Sequence, residues 1–380
     1  MENKDITTGN FNRILAMVTL NNFAISFVFI FVPIYLLKLG YSFPMVMVWM
    51  IIHYSVIAIA SFLAIRISNN IGLVGLLFIR FALVFSYFIL LLFCLKSTPN
   101  LFYIIPIIGG IETAFYFMPL NILMIRNTSS RNMGVSMSKL SAFPKILTIM
   151  SPLIGALIVT YFGFPTLFGF AMFLFLIAMI PVFSLHSEKT DFKFTIKRIK
   201  ETYQNNKQYF LPEIIDNLAE DAMILWSVFI YLTLMSELQV GIIGTITAIA
   251  SMFFVLTIGK LTDKWNKHTL IKIGAMFVTL VWIINFMIAQ FIPNQWLFYV
   301  ATIAITLSLK VFLVPYSSIL FNKARKDDAE FIVLREIPTA LGRLFLFLLA
   351  ILFYNNLPIL FLLVGLLFVY FWFLDTRKLE

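Results

Sequence analysis

Apolar residues in this chain fall in twelve long runs separated by short polar breaks. The runs cover residues 11–37, 44–66, 72–95, 101–124, 137–162, 165–185, 212–236, 240–261, 268–291, 295–320, 337–355 and 357–375. A helix needs about 20 apolar residues to cross a bilayer core. The two-residue alternation of a membrane barrel is missing. Backbone groups in lipid must be satisfied within their own segment, so the pattern predicts twelve transmembrane helices in an all-α membrane protein. Prolines fall inside several runs (Pro33, Pro106, Pro119, Pro152, Pro181, Pro315). They would break helices in water but are tolerated in membrane helices whose neighbours satisfy the freed carbonyls. The first run outlasts a signal-peptide core and no small-residue cleavage site follows it, which predicts a retained first helix.

The polar breaks set the topology. With the N-terminus in the cytoplasm, 22 Lys and Arg residues fall in cytoplasmic segments, two (Lys38 and Lys96) in outer loops, and four (Arg80, Lys272, Lys310, Arg343) within runs. This asymmetry predicts cytoplasmic N- and C-termini in the cell membrane and an even number of crossings. It also accounts for the net charge of +10, so nucleic acid is not an expected partner. The expected partners are lipid bilayer, protons and a small-molecule solute, and the expected state is a monomer.

Hydrophobic residues make up 61% of the chain and charged residues 12%, which leaves little outside the membrane. The longest polar stretch, 186–210, carries six basic and three acidic residues. There Phe192, Phe194, Ile196 and Ile199 suit either a short interfacial helix or a solvated linker. It divides the chain into a first bundle (1–185), a linker (186–210) and a second bundle (211–380). The bundles read as copies. Segment 116–127, YFMPLNILMIRN, and segment 312–323, FLVPYSSILFNK, align their prolines Pro119 and Pro315 at an offset of 196. Internal duplication points to a transporter with its site between the repeats.

The break after the eighth run reads Gly259-Lys260-Leu261-Thr262-Asp263-Lys264-Trp265-Asn266-Lys267-His268. It resembles the loop motif of the major facilitator superfamily at Gly259, Asp263, Lys264 and Lys267, with Asn266 in place of the second glycine. In the first-half stretch 65–72 only Gly72 matches, and Asn69 and Asn70 stand where the acid and base would be. A weaker echo, Ser151-Pro152-Leu153-Ile154-Gly155-Ala156, is similar to an element of the antiporter branch, though close packing of small residues also explains it. The resemblance implies two pseudo-symmetric six-helix bundles around a central cavity lined by the first and fourth helices of each half. It also implies that Asp263 and Lys264 latch one conformation.

Ionisable residues at bilayer depth are costly and usually face protein or water. Glu112 lies eleven residues into the fourth run, about 17 Å deep, and is a proton-carrier candidate or a fixed ion pair. By the proline register Lys310 aligns with Ala114. It could pair with Glu112 across a cavity or hold an anionic group. Glu213, Asp216 and Glu220 share one face of the seventh run. Acids near a helix N-terminus are favourable, which accounts for Glu213 and Asp216; Glu220 and Asp221 are further proton-coupling candidates. Arg343, with Arg335 and Glu336 just before it, is read as gating or as pairing with Glu220 or Asp221. Arg80 is read as a structural pair or a snorkelling side chain, and His53 as a bundle histidine or a proton relay. Asn21, Asn22 and Asn121 are candidate substrate contacts.

No metal or cofactor is expected. Cys94 is the lone cysteine and the three histidines are far apart. The chain has no phosphate-binding Gly-Lys-Ser/Thr loop, no Gly-x-Ser-x-Gly and no His-Glu-x-x-His, which argues against ATP drive and against an enzyme. The expected function is secondary active transport by alternating access, proton-coupled, with export of amphipathic or drug-like compounds by antiport. The alternatives are a symporter for a small organic ion and a lipid flippase on the same fold.

Overall fold

A computed structural model describes residues 2–95, 98–127, 144, 146–186, 189 and 196–379. Among the described residues there are no strands, and eight helices are long and apolar enough to cross a membrane. The chain is thus an all-helical, multi-pass membrane protein. Its helices are α1 (Glu2–Val28), α2 (Phe31–Lys38), α3 (Phe43–Ile89), α4 (Leu101–Arg126), α5 (Ser151–Met179), α6 (Ile196–Asn206), α7 (Phe210–Leu234), α8 (Glu237–Lys264), α9 (Lys267–Phe291), α10 (Gln295–Leu352), α11 (Pro358–Phe368) and α12 (Tyr370–Phe373).

These helices do not map one to one onto the apolar runs, because glycine and proline cut the chain differently from polarity. The second and third runs were expected to be joined by a loop. They form one 47-residue helical stretch that turns at Gly72, φ +78° and ψ 168°. The fifth and sixth runs turn in the same way at Gly163, φ +82° and ψ 170°. An L side chain is disfavoured at such angles, so a single glycine replaces the loop. The second half uses asparagine instead. Asn266 caps α9 by accepting from the His268 amide at 2.9 Å, and Asn294 caps α10 by accepting from the Trp296 amide at 2.9 Å. Each satisfies a free amide of a first turn. Asn266 is therefore a helix cap where the loop motif would have glycine.

Proline tolerance is uneven. Pro106, Pro119, Pro315 and Pro338 lie inside continuous helices, as expected for a bundle. Pro33 separates α1 from α2 at residues 29–30, and Pro152 follows a bend at residues 149–150. In both places the missing amide removes one helical hydrogen bond and the helix opens there. The linker contains α6, while residues 190–195 lie outside the described residues, as do residues 137–143 of the expected fifth span.

The 58-residue α10 covers both the tenth and eleventh runs and the polar break between them. Its ends cannot lie along one straight rod. Tyr316 and Arg335 both bind the carboxylate of Glu213, although 19 residues of straight helix span about 28 Å. The chain therefore reverses between them. The first limb runs antiparallel to α7, with Trp226 Nε1 donating to Thr302 Oγ1 at 2.8 Å, and the second limb returns alongside α7.

Contacts at the two ends fix which segments share a side. Asn10 donates to Asn127 at 3.2 Å, Arg13 to the Ser184 carbonyl at 2.7 Å, and the His186 amide to Asn10. At the other end Tyr41 stacks near Phe102 at 4.5 Å, and Lys38 pairs with Glu237 and lies 5.9 Å from the Phe164 ring.

Gly72→Ala is expected to destabilise the protein by about 1–2 kcal/mol. Gly169→Ala, inside α5 where an added Cβ would meet nothing within 4 Å, is expected to be neutral or to gain up to about 1 kcal/mol. Thermal melting in detergent checks the contrast.

Candidate functional site

Among the described residues the buried charges sort into two clusters. In the first half Arg80, on the second limb of α3, is 1% exposed. Its Nε lies 2.5 Å from Glu112 Oε1 of α4, and Thr113 Oγ1 donates to Glu112 Oε2 at 3.2 Å. The guanidinium carbon lies 4.8–5.0 Å from the centroids of Phe81, Tyr116 and Phe175. A charge in apolar surroundings is held only by a good partner, and here an acid and three ring faces surround it. Glu112 thus meets Arg80, not Lys310. Asn21 is fully buried, with the Tyr116 hydroxyl within hydrogen-bonding reach. Asn22 and Asn121 are half-buried on α1 and α4.

The second cluster joins α7 to both limbs of α10. Glu213, 0% exposed, accepts from Tyr316 Oη at 2.9 Å and pairs with Arg335. A helix N-terminus alone would leave this acid in water; two side chains of α10 enclose it instead. About two turns deeper, Arg343 Nε lies 3.2 Å from Asp221 Oδ2. Asp216 lies in the field of Glu213, Glu220, Arg335 and Lys310. Glu336 neighbours Arg335 and Arg343. Lys310 is half-buried and Glu220 is exposed.

This second cluster reaches into the first half. The Arg343 guanidinium lies 4.8 Å from the Tyr54 ring centroid, and the Tyr54 hydroxyl is within hydrogen-bonding reach of Asp221. Tyr54 also stacks on Phe347 at 5.6 Å. Its neighbour His53 lies close to Arg343 and hydrogen-bonds the Pro106 carbonyl. Tyr54 therefore ties α3 to Asp221 of α7 and Arg343 of α10.

A separate contact joins the halves through α5 and α8. A Cβ on Gly241 would strike Ala156 and the Pro152 carbonyl, and one on Gly244 would strike Pro152. The absent side chains let the two backbones approach. Thr245 Oγ1 accepts from the Leu153 amide at 3.2 Å, one of the free amides of the first turn of α5. The Ser151–Ala156 element thus packs on the opposite half. The loop motif is less informative. Gly259, Asp263 and Lys264 close α8, and their side chains lie outside the described residues; Lys267 opens α9 and is half-buried.

Four participants, Arg80, Tyr54, Lys38 and Glu237, have partners that were not named from the sequence. Arg80 was read as a structural pair or a snorkelling side chain, and it is the pair: it holds Glu112, an unlike charge in the adjoining run. Tyr54 carried no signal, because one tyrosine in an aromatic-rich chain is unremarkable. Lys38 and Glu237 are rare charges in outer breaks of opposite halves, and their pairing was within reach of the sequence.

No family model matches this chain. The chain is similar to a Bacillus subtilis (strain 168) protein named "Uncharacterized protein YqgE", with 22% identity over 332 residues, 83% of this chain and 75% of that protein.

Replacing Glu112 or Arg80 singly with Met is expected to cost about 3–5 kcal/mol, because each leaves a buried charge without its partner. The double replacement is expected to cost less than the sum. Denaturation of the four proteins in detergent measures the coupling.

Proposed function

We propose that this chain is a secondary active transporter of the major facilitator type, moving a small organic solute across the cell membrane by alternating access. The observation that carries the reading is the Asp221–Arg343–Tyr54 contact, where charged side chains of one half meet the other half deep between helices. A fixed scaffold has little use for charges there, whereas a carrier needs groups whose pairing changes as its halves move.

The helix limbs support the crossing count. Reversals at Gly72, at Gly163 and between Tyr316 and Arg335 divide the long stretches into pairs. With α1–α2, α4, α7, α8, α9 and α11–α12 the tally is twelve crossings, six on each side of α6. The contacts of α5 with α8 and of α3 with α10 supply two interfaces on which the halves would rock. Lys38–Glu237 adds an ion pair between halves at one end. The charge asymmetry of the polar breaks supports cytoplasmic termini.

Coupling to protons is the favoured drive. Glu112 is held by Arg80, which suits structure more than cycling. The acids of α7 are better placed: Asp221 shares its base with a residue of the other half, and Glu220 is exposed. Protonating either would weaken a contact between halves and shift the balance of states. The favoured direction is export of amphipathic compounds in exchange for protons.

Proteoliposomes loaded with a pH-sensitive dye test the reading. A transported solute is expected to drive proton movement across the vesicle wall, and Asp221→Asn to reduce the rate at least about tenfold. Opposed solute and proton fluxes mark antiport. Folded wild-type protein that moves neither solute nor protons across a chemically broad panel would refute it.

A further inference from the structure

The linker carries a basic face outside the machinery between the halves. It runs from α6 (Ile196–Asn206) through one short 3-10 turn, Lys207–Tyr209, directly into α7. Lys197, Lys200, Tyr203 and Lys207 recur at intervals of three, three and four residues and so form one stripe along it. All four are exposed. None of the three lysines is paired with an acid among the described residues. On the opposite side Thr202 is half-buried, while Asn206 and Tyr209 are buried. The Tyr209 ring lies 5.3 Å from that of Phe331, and α6 packs on α10. A stripe of bases that points away from the protein, with its reverse side fixed to α10, is an oriented surface and not a loose polar tether.

Apolar neighbours place the stripe at the membrane surface. The helical stretch Lys200–Leu234, which contains α7, is a candidate membrane span. The Tyr203 ring lies 4.6 Å from the ring of Phe210, the first residue of α7, in an edge-to-face contact. Tyr203 is 44% exposed and Leu211, one residue past Phe210, is 48% exposed. A bare leucine at the head of a crossing helix suits acyl chains, and an amphipathic ring beside it suits the headgroup level. Lys200 lies one turn before Tyr203 and Lys207 one turn after it. A lysine stem can rest on apolar surface while its ammonium reaches a phosphate. Glu201, the sole acid of α6, lies beside the stripe and not in it.

We propose that this stripe docks on the headgroups of anionic phospholipids, with Lys197, Lys200 and Lys207 pairing with phosphates and Tyr203 seated among them. Charge complementarity selects the occupant. Anionic lipid attracts bases next to a membrane helix, and the exposed Leu211 beside Tyr203 gains from acyl chains. A soluble polyanion would meet the lysines but leave the apolar residues in water. Because α6 packs on α10 and the turn Lys207–Tyr209 packs on Thr376–Leu379, the leaflet grips the second half by its edge. The inference stands apart from the transporter reading and holds whether or not the chain carries a solute.

Hydrogen exchange of the α6 amides in nanodiscs tests the proposal, since docking suppresses the local opening that exchange requires. Exchange over residues 196–207 is expected to be about tenfold slower in discs rich in phosphatidylglycerol than in discs of phosphatidylcholine alone. High salt is expected to abolish the difference, because it screens exposed charges. Lys197→Gln, Lys200→Gln and Lys207→Gln in one chain are expected to remove it, and Arg at the same three positions to retain it. The three side chains are exposed, and unchanged exchange in α7 with unchanged thermal melting shows that the variants stay folded. Equal exchange of the wild-type protein in the two lipids would overturn the proposal, as would full protection in the Gln variant. Protection of α6 in phosphatidylcholine discs by inorganic phosphate or polyphosphate at the same ionic strength would overturn it too, because the lysines would then serve a dissolved anion and not a leaflet.

Discussion

A charge within an apolar helix bundle must find an opposite charge on another helix, and that requirement organises this protein. Arg80 and Glu112 fix the second limb of α3 against α4. Glu213 with Tyr316 and Arg335 holds α7 to both limbs of α10, and Asp221 with Arg343 repeats the grip deeper. A base or acid deprived of its partner there is expensive, so each pair specifies which helices are neighbours. The pairs differ in access. Arg80 is wrapped in rings at 1% exposure, whereas Arg343 is 21% and Lys38 48% exposed. The sealed pair lies within one half. Arg343 and Lys38 lie against the other half.

The second constraint is covalent. Gly72 and Gly163 turn the chain at backbone angles that other residues avoid, and Pro33 and Pro152 open helices by removing an amide. The break ahead of Pro152 leaves free amides at the start of α5, and Thr245 of α8 takes one of them. A local defect in one half thus becomes a hydrogen bond to the other. Gly241 and Gly244 make that approach possible.

The helical class and the positions of most helices were legible in the sequence, because lipid permits few backbone solutions and apolar length is the dominant signal. The joints were not. Polarity marks residues 67–71 as a break, yet helix continues through them and the reversal falls at Gly72; the break at 321–336 does lie where α10 reverses, between Tyr316 and Arg335. Hydropathy reports what the solvent is, whereas a reversal depends on backbone angles. At the site, the proximity of Asp221 and Arg343 followed from depth on neighbouring runs. The enclosure of Glu213 did not, because a first-turn acid is favourable even without a partner. The pairing of Glu112 with Arg80 and not Lys310 turned on which helix face each occupies, which the register of two prolines could not resolve.

The two halves carry different electrical loads. Within the first, Arg80 and Glu112 cancel. Around α7, among the described residues, five acids (Glu213, Asp216, Glu220, Asp221, Glu336) face three bases (Lys310, Arg335, Arg343) where α3 of the other half comes against α7 and α10. Closing an interface over uncompensated charge removes it from water without replacing the lost solvation, which costs several kcal/mol per ion. On the transporter reading, an empty and deprotonated carrier would therefore resist occlusion, while protons would permit it. The same imbalance would suppress the unloaded crossing, so exchange would be obligatory without a separate lock. On that reading the first half would supply a balanced frame and the second would hold the charge that changes.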